Sequence, residues 1–154
     1  MAIREVIFRG KRTDNGKWEC GDLLSPNEFN AIPHIVYIDY LNEYGDIGEI
    51  STPVIPETVG QFTGLTDKNG VRIFEGDIVK CTDTINDFEF NAVVEFGNPN
   101  GEYNWGYQLK FISGEESNFD ILCWVDMEET GAYIEIIGNI HDNPELLKVG
   151  DNNE

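Results

Sequence analysis

The chain has 154 residues with 29 acidic against 10 basic side chains, a net charge of −19. A polyanion repels phosphate backbones, which excludes general nucleic-acid binding by most of the surface. Three cysteines, few and widely spaced, exclude a disulfide framework and fit reduced thiols in a cytoplasmic protein.

In chain order, residues 3–9 (IREVIFR) predict a first strand. Thr13-Asp14-Asn15-Gly16 is an Asn-Gly turn, and Lys17 to Leu24 returns as the second strand of a hairpin. The MAIREVIFRGKR start is too polar for a signal peptide. A strand is expected from His34 to Asp39, with Pro33 at its start. Residues 42–58 hold two glycines and two of the chain's prolines, so an exposed loop or short edge strand is expected there, and with it a boundary between modules.

Leu65 and Ile73 then flank Asp67-Lys68-Asn69-Gly70, a second Asn-Gly hairpin. Glu75-Gly76-Asp77 is a turn into a strand beginning at Ile78. Residues 88–96 (FEFNAVVEF) read as a core strand, 107–111 as a shorter one, 115–118 as loop, and 121–125 and 133–137 as the last strands. Asn143-Pro144-Glu145 has the order of a helix start: cap residue, proline at the first position, an acid in the first turn. The polar 150–154 end reads as frayed. Short strands separated by turns describe an all-β barrel or sandwich with little helix. Nine Phe, six Tyr and three Trp supply its core, and no apolar run approaches the roughly 18 residues of a membrane span.

Three stretches carry a family likeness: Val59-Gly60-Gln61-Phe62-Thr63-Gly64-Leu65-Thr66-Asp67-Lys68-Asn69-Gly70 with Ile73-Phe74-Glu75-Gly76-Asp77-Ile78-Val79; Ile136-Ile137-Gly138-Asn139-Ile140-His141-Asp142-Asn143-Pro144-Glu145-Leu146-Leu147; and the N-terminal FRGKRTDNGKWECGDLL. In this order they resemble the YopX family of phage and prophage proteins. The resemblance implies an SH3-like β-barrel module and a phage or prophage origin, and it transfers no catalytic residue. The expected organisation is therefore mainly β: an N-terminal hairpin-rich module (1–57), an SH3-like barrel module (58–142) and a short C-terminal helix or tail (143–154). Gly16, Gly64, Gly70, Gly76 and Gly138 have a structural reason of their own, because glycine bends backbone at low cost.

No catalytic, cofactor-binding or metal-ligating constellation is legible. Asp67-Lys68-Asn69-Gly70 opens like a calcium loop, but Arg72 stands where glycine is needed and Ile78 where the closing glutamate is needed. His34 and His141 with Cys20, Cys81 and Cys123 lack the short spacings of structural zinc. The carboxylate groups Asp83, Asp87 and Glu89; Glu115, Glu116 and Asp120; and Asp126, Glu128 and Glu129 fit a solvated acidic face.

Charge is the remaining lever. Five of the ten basic residues (Arg4, Arg9, Lys11, Arg12 and Lys17) fall in the first seventeen positions, against only Glu5 and Asp14. With Trp18 they form the candidate contact surface. It serves either another subunit's acidic body, giving a head-to-tail or ring homo-oligomer, or nucleic acid as the alternative, which the charge disfavours. Alternation would put Lys17 and Trp18 on opposite sides, which weakens a shared nucleic-acid site. The acidic body is expected to meet a basic host or phage protein, or only to solubilise the chain. The expectation is a non-enzymatic binding or assembly module, with no cofactor and no membrane partner.

Overall fold

The computed structural model describes residues 5–101, 105–125 and 128–148. Its strands are β1 (Phe8–Lys11), β2 (Trp18–Leu24), β3 (His34–Leu41), β4 (Ile47–Pro53), β5 (Gly60–Thr66), β6 (Arg72–Phe74), β7 (Asp77–Asp83), β8 (Phe88–Gly97), β9 (Gly106–Gly114) and β10 (Ala132–Asn139). Among the described residues the only helical segments are short 3-10 turns, so the protein is mainly β. One sheet has the order β4-β3-β2-β1-β5-β6 and the other β10-β7-β8-β9. The chain divides into two compact units between Phe62 and Thr63, inside β5.

The first unit is built from hairpins. Gly16 closes the β1–β2 turn at φ +70°, a backbone region that side chains disfavour, and Arg12 N–H donates to Lys17 O at 2.9 Å. Of the strand expected at 3–9, residues 3 and 4 lie outside the described residues and β1 covers Phe8–Lys11; its register sets Lys11 opposite Trp18 and Arg9 opposite Cys20. Gly10 lies under Val54, whose Cβ would stand 2.9 Å from any added methyl group. Ile35, Val54 and Phe62 form the buried interior. Thr58, also buried, accepts from Lys11 N–H at 2.8 Å and donates to Ile55 O at 2.6 Å. The 42–58 stretch is more regular than its composition suggests: it holds β4, an outer strand, and a 3-10 turn at Pro56–Thr58.

The second unit has the β7–β8–β9 meander with β10 on the far side of β7. Its core gathers Val79, Cys81, Phe90, Val94, Leu109 and Ile134, each at most 1% exposed. Burial pushes the Cys81 thiol well up, so it behaves as a small apolar filler. β9 and β10 are the outer strands of this sheet, so its pairing does not close into a barrel.

Two expectations for this unit change. Residues 121–125 form a 3-10 turn at Ile121–Cys123 instead of a strand. The Asp120 carboxylate caps Leu122 N–H at 3.1 Å, and Trp124 N–H closes back on Ile121 O at 3.0 Å. Three-residue spacing brings Ile121 and Trp124 together into the core, which strand alternation would not. At the C-terminus the expected helix is a single 3-10 turn, Pro144–Leu147. Asn143 does not cap it; its side chain accepts from Asn139 N–H at 3.2 Å instead. Residues 149–154, including the end read as frayed, lie outside the described residues.

Candidate functional site

The residues singled out in the sequence separate into an architectural set and a surface set. The architectural set centres on Asp67, 7% exposed. One carboxylate oxygen accepts from Asn69 N–H at 2.9 Å and Val71 N–H at 3.0 Å; the other accepts from Ile136 N–H in β10 at 3.1 Å. Lys68 N–H adds a bond to Ile134 O at 2.9 Å. The carboxylate therefore faces amide donors that pin the β5–β6 turn to β10, the opposite of what a calcium ligand needs. Asp77, also buried, accepts from Phe74 N–H at 2.7 Å across the Glu75-Gly76 turn.

Gly64, Gly70 and Gly76 all have positive φ; Gly70 and Gly76 lie in turns, whereas Gly64 lies inside β5 and makes no turn. Gly138 differs, because its φ is ordinary. Its missing side chain makes room for Asn143, whose Oδ1 would lie 2.6 Å from a Cβ there. Asn139 completes this corner by accepting from His141 and Asp142 N–H at 3.0 and 2.9 Å.

A cleft of about 430 Å³ opens beside Asp67, lined also by Lys68, Trp124, Glu129 and Tyr133. Lys68 is engaged there by Glu135 at 3.4 Å and by the Tyr133 ring at 4.5 Å. A second, acidic cleft of about 260 Å³ is lined by Asp83, Asp87, Glu89 and Glu115. Asp83 is bound to its own turn, accepting from Ile85 and Asn86 N–H at 3.0 and 2.9 Å, and the Asn86 side chain first among these bonds holds its carboxyl below the usual range. Glu89 lies 3.5 Å from Lys80. Among the described residues no three His, Cys, Asp or Glu converge in a metal-holding group. His34, the first residue of β3, is held by the segment before it, Nδ1 lying 3.0 Å from Ile32 O and 3.1 Å from the Asn30 amide. Asp126 is outside the described residues.

The surface set begins with the cationic hairpin, which the strand register sorts. Arg9, Lys11 and Trp18 share one face of β1–β2: the Arg9 guanidinium sits 4.6 Å and the Lys11 ammonium 5.7 Å from the Trp18 ring centre. Lys17 is in the exposed turn and is not brought to that ring. The Lys17–Trp18 opposition therefore does not dismantle the site, because the cations beside Trp18 come from the neighbouring strand. Arg12 is held by Asp14 at 2.8 Å and Glu19 at 3.1 Å, which raise its pKa further, Asp14 foremost, while Asp14 itself is held below the ordinary range. Arg4 lies outside the described residues.

The most exposed apolar surface of the first unit was not visible in the sequence. β2 pairs with β3 only from Asp22 to Leu24 against Val36 to His34. Beyond that the β3–β4 hairpin continues as an arm, paired with itself out to Leu41 and Ile47. Ile38, Tyr40, Leu41, Tyr44 and Ile47 are all exposed on it, from 48% at Ile47 to 82% at Tyr44. Asp39, Glu43, Asp46 and Glu49 are interspersed and exposed, and residues 38–50 contain no cation. The tip is well built: the Asn42 side chain accepts from Tyr44 and Asp46 N–H at 2.9 Å each, and Gly45 turns at φ +87°. Gly48 is required under Tyr40, whose ring carbon would stand 2.5 Å from a Cβ. The sequence signal was a stretch rich in β-branched and aromatic residues, which reads alike whether buried or exposed. In the second unit, Phe96, Trp105 and Tyr107 form a smaller aromatic ledge with edge-on contacts of 6.2 and 5.0 Å.

The class defined so far is a two-unit antiparallel β protein with structural carboxylates in its turns and exposed hairpins in its first unit. The YopX protein family model matches residues 7–148, and the chain belongs to that family. A solved structure it is similar to is that of protein EF1440 from Enterococcus faecalis, at 24% identity and a TM-score of 0.50, over 94% of this chain and 99% of that one. That likeness bears on the fold alone. No curated protein matches the sequence. Among the described residues no helix is long and apolar enough to cross a membrane.

Proposed function

We propose that this is a non-enzymatic binding or assembly module of phage or prophage origin, acting in the cytoplasm of the bacterial host. The observation that carries the reading is the β3–β4 arm: five large apolar side chains held outward on a well-built hairpin, among four carboxylates. The register puts Ile38, Leu41 and Ile47 on one face of the arm and Tyr40 on the other, and large apolar side chains exposed together in this way mark a place where another molecule sits. Family membership supports the origin, and the acidic composition supports a partner with basic groups. The test is affinity capture from host lysate with the wild-type chain and with the triple variant Tyr40→Ser, Leu41→Ser, Tyr44→Ser. A protein retained by the first and lost by the second, with both showing the same circular dichroism, is the expected outcome. Equal retention by both, or turnover of a substrate by the purified protein with nothing retained, contradicts the reading.

A second reading, accessory nucleic-acid binding, is favoured by one observation: Arg9 and Lys11 flank an aromatic ring on a common face. Such a face can pair with phosphate and stack a base. On this reading Arg9→Gln with Lys11→Gln removes oligonucleotide binding and flattens its salt dependence. Arg12→Gln, already neutralised by Asp14 and Glu19, changes it little. Absence of binding at low salt ends this alternative.

A further inference from the structure

We infer that the occupant of the β3–β4 arm is the cationic β1–β2 face of a second copy of this chain, in a reciprocal two-fold dimer; the inference rests on the binding-module reading above. The arm carries Asp39, Glu43, Asp46 and Glu49 among Ile38, Tyr40, Leu41, Tyr44 and Ile47. Its natural complement is a surface with cations set around apolar area. The first unit holds such a surface. Arg9 and Lys11 lie against Trp18, and alternation along β2 puts Leu24, itself 47% exposed, on the same face as Trp18. Arg12 takes both Asp14 and Glu19, while Asp22 lies on the same side of β2 as Trp18 and Leu24. Tyr40 and Tyr44 present rings that accept an arginine or lysine from across an interface.

Arm-to-arm association is the competing arrangement, and charge opposes it. Four carboxylates would meet four others within a Debye length of about 10 Å, and β4, though an outer strand, carries Glu49 mid-strand and ends at Pro53, devices that discourage edge pairing. Placing the arm on the cationic face replaces repulsion with complementarity. Because each copy carries both surfaces in the same unit, one two-fold operation satisfies both arms at once. The positive charge concentrated near the start of a strongly acidic chain acquires a purpose in the same step.

The experiment is sedimentation velocity on the full chain over a concentration series, at low and high salt. It is repeated for a face variant (Arg9→Glu, Lys11→Glu) and an arm variant (Asp39→Lys, Glu43→Lys, Glu49→Lys), each checked for unchanged circular dichroism. Wild type is expected to sediment as a dimer that salt shifts toward monomer, and each variant alone as a monomer. An equimolar mixture of the two variants is expected to recover the dimer, because one contact is then the wild-type pair and the other is the same pair with both charges reversed. A wild-type monomer at every concentration and salt overturns the inference, as does association that both reversals leave intact. If wild type is monomeric but the arm still captures another protein, only the self-docking falls. If it is monomeric and captures nothing, the binding-module reading falls with it.

Discussion

Replacing Asp67 with alanine is expected to lower the free energy of unfolding by about 3 kcal/mol, because the change strands three part-buried amide donors at about 1 kcal/mol each. Three N–H groups lose their acceptor together, those of Asn69, Val71 and Ile136. The first two hold the β5–β6 turn closed. The third is the tie from that turn to β10, across 69 residues of chain. Asp67→Asn separates the two jobs. It can keep one oxygen for the turn but sets an amide donor against Ile136 N–H, or the reverse, so it is expected to cost about half as much. At about 2–4 °C per kcal/mol for a chain of this size, the alanine variant melts on the order of 10 °C lower. Urea or thermal unfolding followed by circular dichroism reads both. A loss under about 1 kcal/mol, within the range of one ordinary hydrogen bond, would mean that the carboxylate is not what holds the turn.

Phe90→Ala should be of similar size by a different mechanism, about 3–5 kcal/mol. Phe90 is 1% exposed and touches three rings: Phe119 at 5.7 Å, Trp124 at 5.3 Å and Phe111 at 6.3 Å between centroids. Two of those contacts are edge-on, the favoured aromatic geometry. Truncation leaves a cavity among rings fixed by other bonds, including the Trp124 indole N–H to Asn118 O at 2.8 Å, so collapse is incomplete. Phe96→Ala is the control. Phe96 also stacks on two rings, Trp105 and Tyr107, but it is 54% exposed. Little transfer energy is lost there, and about 1 kcal/mol of ring contact is all that should disappear. Equal losses at Phe90 and Phe96 would show that the core is misassigned.

What was legible in the sequence was what is local. Asn15-Gly16 and Asn69-Gly70 both close hairpins with glycine at positive φ, as their chemistry demands. Most strands lie where β-branched and aromatic runs placed them. The misses are cases where local pattern carries no information about the rest of the chain. Ile121 to Val125 is apolar throughout, so neither a two-residue nor a three-residue period stands out, and only the Asp120 cap and the Trp124 tether decide for a 3-10 turn. The arm escaped notice because the β-branched and aromatic residues from Ile35 to Tyr40 suit a strand whether covered or not, and exposure depends on where β2 stops pairing. The Arg9–Lys11–Trp18 face required the register between two strands, where reading along one strand suggested separation. Asp67 looked like half of a metal loop because its third partner, Ile136, comes from the distant C-terminal strand.

Residues 64–77 and 136–147, two parts of the family likeness, build the second unit; we propose that recognition falls to the two hairpins of the first. Amide chemical shifts of the ¹⁵N-labelled full chain, followed from dilute to concentrated solution, test that division most directly. Shifts or broadening gathered in residues 9–18 and 38–49, with residues 64–77 unchanged, are the expected result. Changes centred on residues 64–77, with both hairpins silent, would contradict it.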